Sequence, residues 1–190
     1  MKKRLIHIGA VLLLLGGPIQ AQSAKWTKYR GAVLIERQSY DGDSFHLRTH
    51  RGVRIFRLYF VDAPEMDLEF ADRVQEQADS WGISVEDTLR LGRIAREFTR
   101  QFMQNGVTVW TRGEDAQGRS RLPRHYAIVR ADDQDLATEL VRNGLARLYG
   151  RGTDFPDGLH GRDAWTALRA AETEAREARR GGWGMKKHEP

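Results

Sequence analysis

The sequence predicts an α+β fold with a mainly β core: a five-stranded barrel capped by about three helices. Three observations carry that prediction. Three strand-like runs come early, joined by short turns; an amphipathic helical pattern separates the third from the fourth strand; and two further strands are followed by helices alone. Strands grouped in this way, without alternating βαβ units, are an α+β order.

The first strand is read over residues 26–38, "WTKYRGAVLIERQ", with Val33, Leu34 and Ile35 at its centre. Residues 43–49, "DSFHLRT", alternate, Phe45 and Leu47 on one side and Ser44, His46 and Arg48 on the other, which is strand periodicity. "HRG" at 50–52 supplies a hairpin turn. The third strand is "VRIFRLYFV" at 53–61, apolar enough after Arg54 to suggest burial on both faces. Residues 66–83 are polar, acidic and partly helical in pattern.

A clearer helix starts at Ser84, an N-cap with Asp87 three positions on. Leu91, Ile94, Ala95, Phe98 and Phe102 recur along it, and Asn105-Gly106 ends it. "VTVWT" at 107–111 and "RHYAIV" at 124–129 are the fourth and fifth strands. A helix over 136–142 stops at Asn143-Gly144, "LARLY" follows as a short extended piece, and a last helix runs from about Asp163 to Arg180. Ala164, Leu168, Ala171, Ala175 and Ala178 form its apolar face, and Gly181-Gly182 stops it. Five strands with a helix between the third and fourth match the oligonucleotide/oligosaccharide-binding (OB) topology.

The 190 residues suit one domain preceded by a separable leader. Residues 1–23 have a basic start at Lys2, Lys3 and Arg4, an apolar run centred on Val11 to Leu15, and small residues at Ala21, Ser23 and Ala24. That is the layout of a signal peptide cleaved between residues 21 and 24. His7 and Gly16-Gly17-Pro18 leave the apolar run short for a bilayer span. Export to a periplasmic or secreted location follows, with no stable membrane association after cleavage and a monomer expected. The leader takes three basic residues and no acidic one, so a formal charge of +5 falls to +2. Net charge therefore argues only weakly for a polyanionic substrate, and local placement must carry that case. The chain has no cysteine, so no disulfide uses the oxidising compartment.

The sharpest anomaly is Arg57, the one charge inside "IFRLYFV". A guanidinium there is costly unless a carboxylate or phosphate meets it. A lone arginine of this kind is usually a structural ion pair, but here "VDAPE" ends the same strand. Pro64 sets its own φ and biases Ala63 toward extended geometry, which holds Asp62, the Ala63 carbonyl and Glu65 in a fixed relation. If the second and third strands pair through the turn at 50–52, Asp43 and Asp62 meet at the hairpin's open end. Two carboxylates and a carbonyl suit a hard cation, Ca²⁺ or Mg²⁺. The histidines show no paired ligand spacing, which disfavours zinc. "DGDSF" places Phe45 where an EF-hand loop needs its third oxygen. Asp41 and Gly42 read as the turn that opens the strand. Arg119, Arg121 and Arg124 form a basic segment whose default reading is a solvated loop, although guanidinium forks also match phosphate oxygens. The mixed charges of the last helix read as a solvated face.

"DGDSFHL", "FRLYFVDAPE" and "ELVRNGLARL" together resemble the staphylococcal nuclease (thermonuclease) family, over a domain of residues 26–184 followed by a tail of 185–190. The resemblance implies an OB-fold barrel that hydrolyses DNA or RNA phosphodiesters with Ca²⁺, with Mg²⁺ or Mn²⁺ as alternatives; that is, an exported endonuclease. It implies Asp43, Asp62 and the Ala63 carbonyl as metal ligands, Glu65 as general base and Arg57 as first catalytic arginine. The second arginine is Arg124 by its distance to "YAIV", or Arg119 by its preceding Gly118, with Arg124 preferred because strand register is harder to shift than loop length. The flanking tyrosines of the family have no convincing match: Leu122 or Gln117 stands at one such place, and Tyr149 is only near another. The acidic stretch of 66–84 is longer than the family's short basic loop. A non-catalytic barrel that binds nucleic acid or another partner is the alternative reading, but it has no need of a buried acid–arginine cluster. A carboxylate-pair glycosidase would find Arg57 an odd companion.

Overall fold

The computed structural model describes residues 25–37, 40–117 and 123–185. The leader, residue Arg119 and all of the tail after Met185 lie outside these described residues.

The order of elements is β1 (Thr27–Ile35), β2 (Ser44–Thr49), β3 (Gly52–Leu58), β4 (Val61–Asp62), α1 (Ala71–Trp81), α2 (Val85–Phe102), β5 (Val107–Thr111), β6 (Arg124–Ala131), β7 (Gln134–Asp135), α3 (Leu136–Arg142), β8 (Arg147–Leu148) and α4 (Gly161–Glu177), then a short 3₁₀ turn at Gly181–Gly184. The sheet runs β3-β2-β1-β5-β6-β7. A parallel pairing of β3 with β6, from Ile55↔Arg124 to Leu58↔Ala127, closes five of these strands into the expected barrel. The long first strand serves both halves: Thr27 to Ala32 pair with β5, and Val33 to Ile35 with β2. The register shifts between Tyr29 and Ala32, where Gly31 takes a φ of +61°, a bulge that bends the strand around the barrel. Phe45, Leu47, Phe56, Leu58, Val109 and Val129 fill the core, and Leu91 and Ala95 of α2 pack onto it.

Two expectations need correction. The run read as one strand over 53–61 is two: Phe60 adopts a φ of +73°, so the chain leaves the barrel after Leu58, and Val61–Asp62 pairs with β8. Ile55, Phe56, Leu58, Tyr59, Phe60 and Val61 are buried, as expected of the apolar run after Arg54, whereas Val53, ahead of it, is 44% exposed. One member of the expected face of α2 is misplaced: Leu91 and Ala95 are buried and Phe98 and Phe102 pack against the core, but Ile94 is exposed, and Thr88, Gly92 and Thr99 also face inward. Polar and small residues win those positions because Thr99 Oγ1 donates to the Gly42 carbonyl at 2.7 Å and Gly92 lies against the backbone of Pro64 and Glu65.

Two helices, not one, separate the third and fourth barrel strands, and the described residues hold four helices rather than about three. The N-cap of α2 is as expected: Ser84 Oγ accepts from the Asp87 N–H and donates to its carboxylate, both at 3.0 Å. The last helix ends at Glu177, leaving Ala178 exposed beyond its buried alanine face. No helix among the described residues is long and apolar enough to cross a membrane.

Candidate active site

The acidic turn, the third strand and the "DAPE" segment meet at the open end of the β2–β3 hairpin. Asp41 Oδ1 accepts the backbone N–H groups of Asp43 (3.2 Å) and Ser44 (2.7 Å), the side-chain turn expected of "DGD". Gly42 is required for a further reason, close approach. A Cβ there would stand 2.8 Å from Ala63 Cβ and 2.9 Å from Ala95 Cβ, so only glycine lets this turn seat against both the "DAPE" segment and α2.

Ser44 pairs with Arg57, and the Leu58 N–H donates to the Asp43 carbonyl at 2.9 Å, which places Asp43 beside Arg57. Two residues later the left-handed Phe60 turns the chain, so that Asp62 returns to the same point. Arg57 Nη2 then bridges the two carboxylates, 3.0 Å from Asp43 Oδ2 and 2.8 Å from Asp62 Oδ1. Asp43 Oδ2 also accepts the Ala63 N–H at 3.2 Å. The two aspartates are 1% and 0% exposed, so the pair of charges is almost wholly withdrawn from water.

Three residues outside the expected set complete the cluster. Arg73 of α1 pairs with Asp62 Oδ1 and reaches Glu65 Oε1 at 2.7 Å. Gln77 of α1 donates through Nε2 to Asp62 Oδ2 and to the Ala63 carbonyl, each at 3.0 Å, and its Oε1 accepts the Glu65 N–H at 2.9 Å. Arg147 of β8 donates to Asp62 Oδ2 at 3.0 Å and pairs with Glu76 at 3.0 Å. Asp62 thus has four donors. Arg147 had a signal in the sequence, because it interrupts "LARLY" as Arg57 interrupts its own strand. Arg73 and Gln77 had a fainter signal, since Val74, Ala78 and Trp81 recur at helical spacing and Gln77 lies on the face they mark.

Burial pushes the Asp43 carboxyl well above its ordinary value; Arg57 opposes that rise, and neighbouring Asp41 and Asp62 add to it. Burial raises Glu65 too, with Arg73 holding it down and Asp43 and Asp62 adding. Asp43, acting against burial, raises the Arg57 guanidinium and keeps it charged. Arg124 donates to the carbonyls of Gln117 (2.7 Å) and Ala116 (3.3 Å) and to Ser44 Oγ (3.3 Å), next to Asp43. Burial lowers its pKa, and the neighbouring Arg57 charge lowers it further. Tyr149 is 47% exposed with the Arg147 guanidinium 4.6 Å over its ring.

Among the described residues, no three His, Cys, Asp or Glu side chains gather into a metal-holding group. The expected donors are instead two carboxylates and one backbone carbonyl, all oxygen, a set that hard cations take with water completing the shell. By donor chemistry these residues fit Ca²⁺. The Ala63 carbonyl has two lone pairs and Gln77 takes one, orienting the group as outer partners orient metal ligands.

A family model described as "Staphylococcal nuclease homologue" matches residues 55–185. The match takes in Arg57, Asp62, Ala63, Glu65, Arg119 and Arg124 and begins after Asp43. No curated protein matches the chain.

Proposed function

The chain belongs to the staphylococcal nuclease homologue family, and on that premise we propose that it is an exported, metal-dependent endonuclease hydrolysing the phosphodiester bonds of DNA or RNA. The observation that supports this most is Arg57 bridging Asp43 and Asp62, with Glu65 and Arg124 close by. A structural ion pair needs one carboxylate for one guanidinium. Here Arg57 is shared between two carboxylates, Asp62 takes three guanidinium groups, and Arg73 is shared between Asp62 and Glu65.

In this reading Asp43, Asp62 and the Ala63 carbonyl hold Ca²⁺, with Mg²⁺ or Mn²⁺ as alternatives. When bound, the cation polarises the phosphoryl group. Glu65 is the general base. It accepts a proton from the attacking water, and burial tunes it upward, toward the working pH. Arg57 and Arg124 stabilise the charge that grows on the equatorial phosphoryl oxygens, where planar guanidinium forks fit best. The second arginine remains a choice between Arg124 and Arg119, and the former is favoured by its contact with Ser44. Export rests on the leader-like residues 1–23, and the mature protein is taken as a monomer free of the membrane.

The test uses purified mature protein with single-stranded DNA and RNA oligonucleotides, each metal ion in turn, and a chelator. Cleavage with Ca²⁺ that the chelator stops is expected. Cleavage indifferent to chelation, or nucleic-acid binding without cleavage under any divalent ion, would favour the non-catalytic barrel or another chemistry.

A further inference from the structure

We propose that Gln77 is a positioning residue of the active site, and that α1 is therefore part of the catalytic apparatus rather than a surface insertion. The inference rests on the nuclease reading above. The amide of Gln77 reaches three of the four residues in "DAPE": the Asp62 carboxylate, the Ala63 carbonyl and the Glu65 N–H. The fourth, Pro64, has no N–H to offer. One fully buried side chain thus spans a proposed metal-ligand carboxylate, a proposed carbonyl ligand and the backbone of the proposed base.

Its orientation is dictated by its partners. Reversing the amide would put oxygen against Asp62 Oδ2 and the Ala63 carbonyl, and nitrogen against the Glu65 N–H. Only one arrangement satisfies all three contacts, and a fully satisfied buried network rigidifies what it touches. Arg73, one turn earlier on the same face of α1, grips Asp62 and Glu65 from the more open side.

The helix that carries both residues is itself anchored. Val74, Ala78 and Trp81 are buried, Gly82 caps the helix in the left-handed region, and Trp81 packs close against Gly182 near the chain's end. The 66–84 segment, longer than the loop the family resemblance implies, is in this account a wall that fixes the distance from the acid pair to Glu65.

The experiment compares Gln77→Met and Gln77→Glu, both close in size to glutamine, with wild type and with Gln75→Ala on the exposed side of the same helix. It measures kcat and KM on a single-stranded DNA oligonucleotide, Ca²⁺ affinity by calorimetry without substrate, and thermal unfolding. Loss of such an outer partner costs about 10- to 100-fold in metal affinity or activity. The expected result is a fall of that size in kcat and weaker Ca²⁺ binding, with KM little changed and Gln75→Ala like wild type. A merely structural role would lower the unfolding temperature and leave kcat per folded molecule and Ca²⁺ affinity alone. Folded Gln77 variants matching wild type on both would overturn the inference, and so would a wild type that binds no Ca²⁺. A wild type that binds Ca²⁺ yet cleaves nothing sinks the nuclease reading alone, and the Ca²⁺ affinities of the variants then decide on Gln77.

Discussion

Gly92→Ala tests whether the site depends on the placement of the Glu65 backbone. A Cβ built on Gly92 would stand 2.6 Å from the Pro64 carbonyl oxygen and closer still to that of Glu65, whereas ordinary contact begins at 3.4 Å. The new methyl must therefore push "DAPE" and α2 apart by about an ångström. Two effects on stability oppose each other. Alanine in a helix interior gains about 1 kcal/mol over glycine, while overpacking costs about 1–3 kcal/mol. The net change lies between zero and about 2 kcal/mol, a few degrees in unfolding temperature for a chain of this size. Catalysis has no such offset, because misplacing a reacting group by about 1 Å costs on the order of 100-fold. The assay is kcat on single-stranded DNA at saturating Ca²⁺, normalised to folded protein, with Ile94→Ala on the exposed side of α2 as control. A Gly92→Ala enzyme that is folded and keeps wild-type kcat would refute the reasoning.

Three other outcomes are expected. Arg73→Gln should bind Ca²⁺ several-fold more tightly in calorimetry, since Arg73 is the most exposed of the four donors on Asp62 and stands where it competes for that carboxylate; weaker binding would contradict this. Separate Arg119→Lys and Arg124→Lys substitutions should differ, with Arg124→Lys losing most of kcat because lysine lacks the fork; the opposite ranking would move the role to Arg119. Asp135 caps α3 through Thr138, and burial raises its carboxyl above 3.8, so its stabilising contribution is full below that value and lost as pH rises through the folded-state value. Asp135→Asn should therefore gain in melting temperature relative to wild type as pH rises from below 3.8 through the raised folded-state value. A constant difference would show that Asp135 does not titrate with folding.

Much of this arrangement was legible in the chain because it depends on local rules. A turn at His50-Arg51 fixes the hairpin register, and register fixes Asp43 beside Arg57. A charge inside an apolar strand demands a partner, and Arg57 has two. The split of 53–61 was hidden because "LYFV" is apolar throughout: nothing local says that Phe60 turns the chain or that Asp62 pairs with Arg147, 85 residues on. Gln77 and Arg73 were hidden for a related reason. The inward face of this mostly polar helix is marked only by Val74, Ala78 and Trp81, too few apolar residues to show that a glutamine among them reaches the site. Ile94 was misplaced on the inward face of α2 because it is the more hydrophobic residue, while Gly92 and Thr99 make the close contacts. Composition was uninformative, since a charge of +2 without the leader says nothing of where opposite charges gather.

The central claim is that Glu65 activates water at a Ca²⁺-loaded acid–arginine site. Its most direct test is a Ca²⁺ titration of single-stranded DNA cleavage by wild type and Glu65→Gln side by side, with nucleotide binding measured in parallel. The account predicts Ca²⁺-dependent cleavage by wild type, and a variant that binds nucleotide as wild type does but loses most of its turnover. Equal turnover in the two, or cleavage by wild type that does not respond to Ca²⁺, would contradict it.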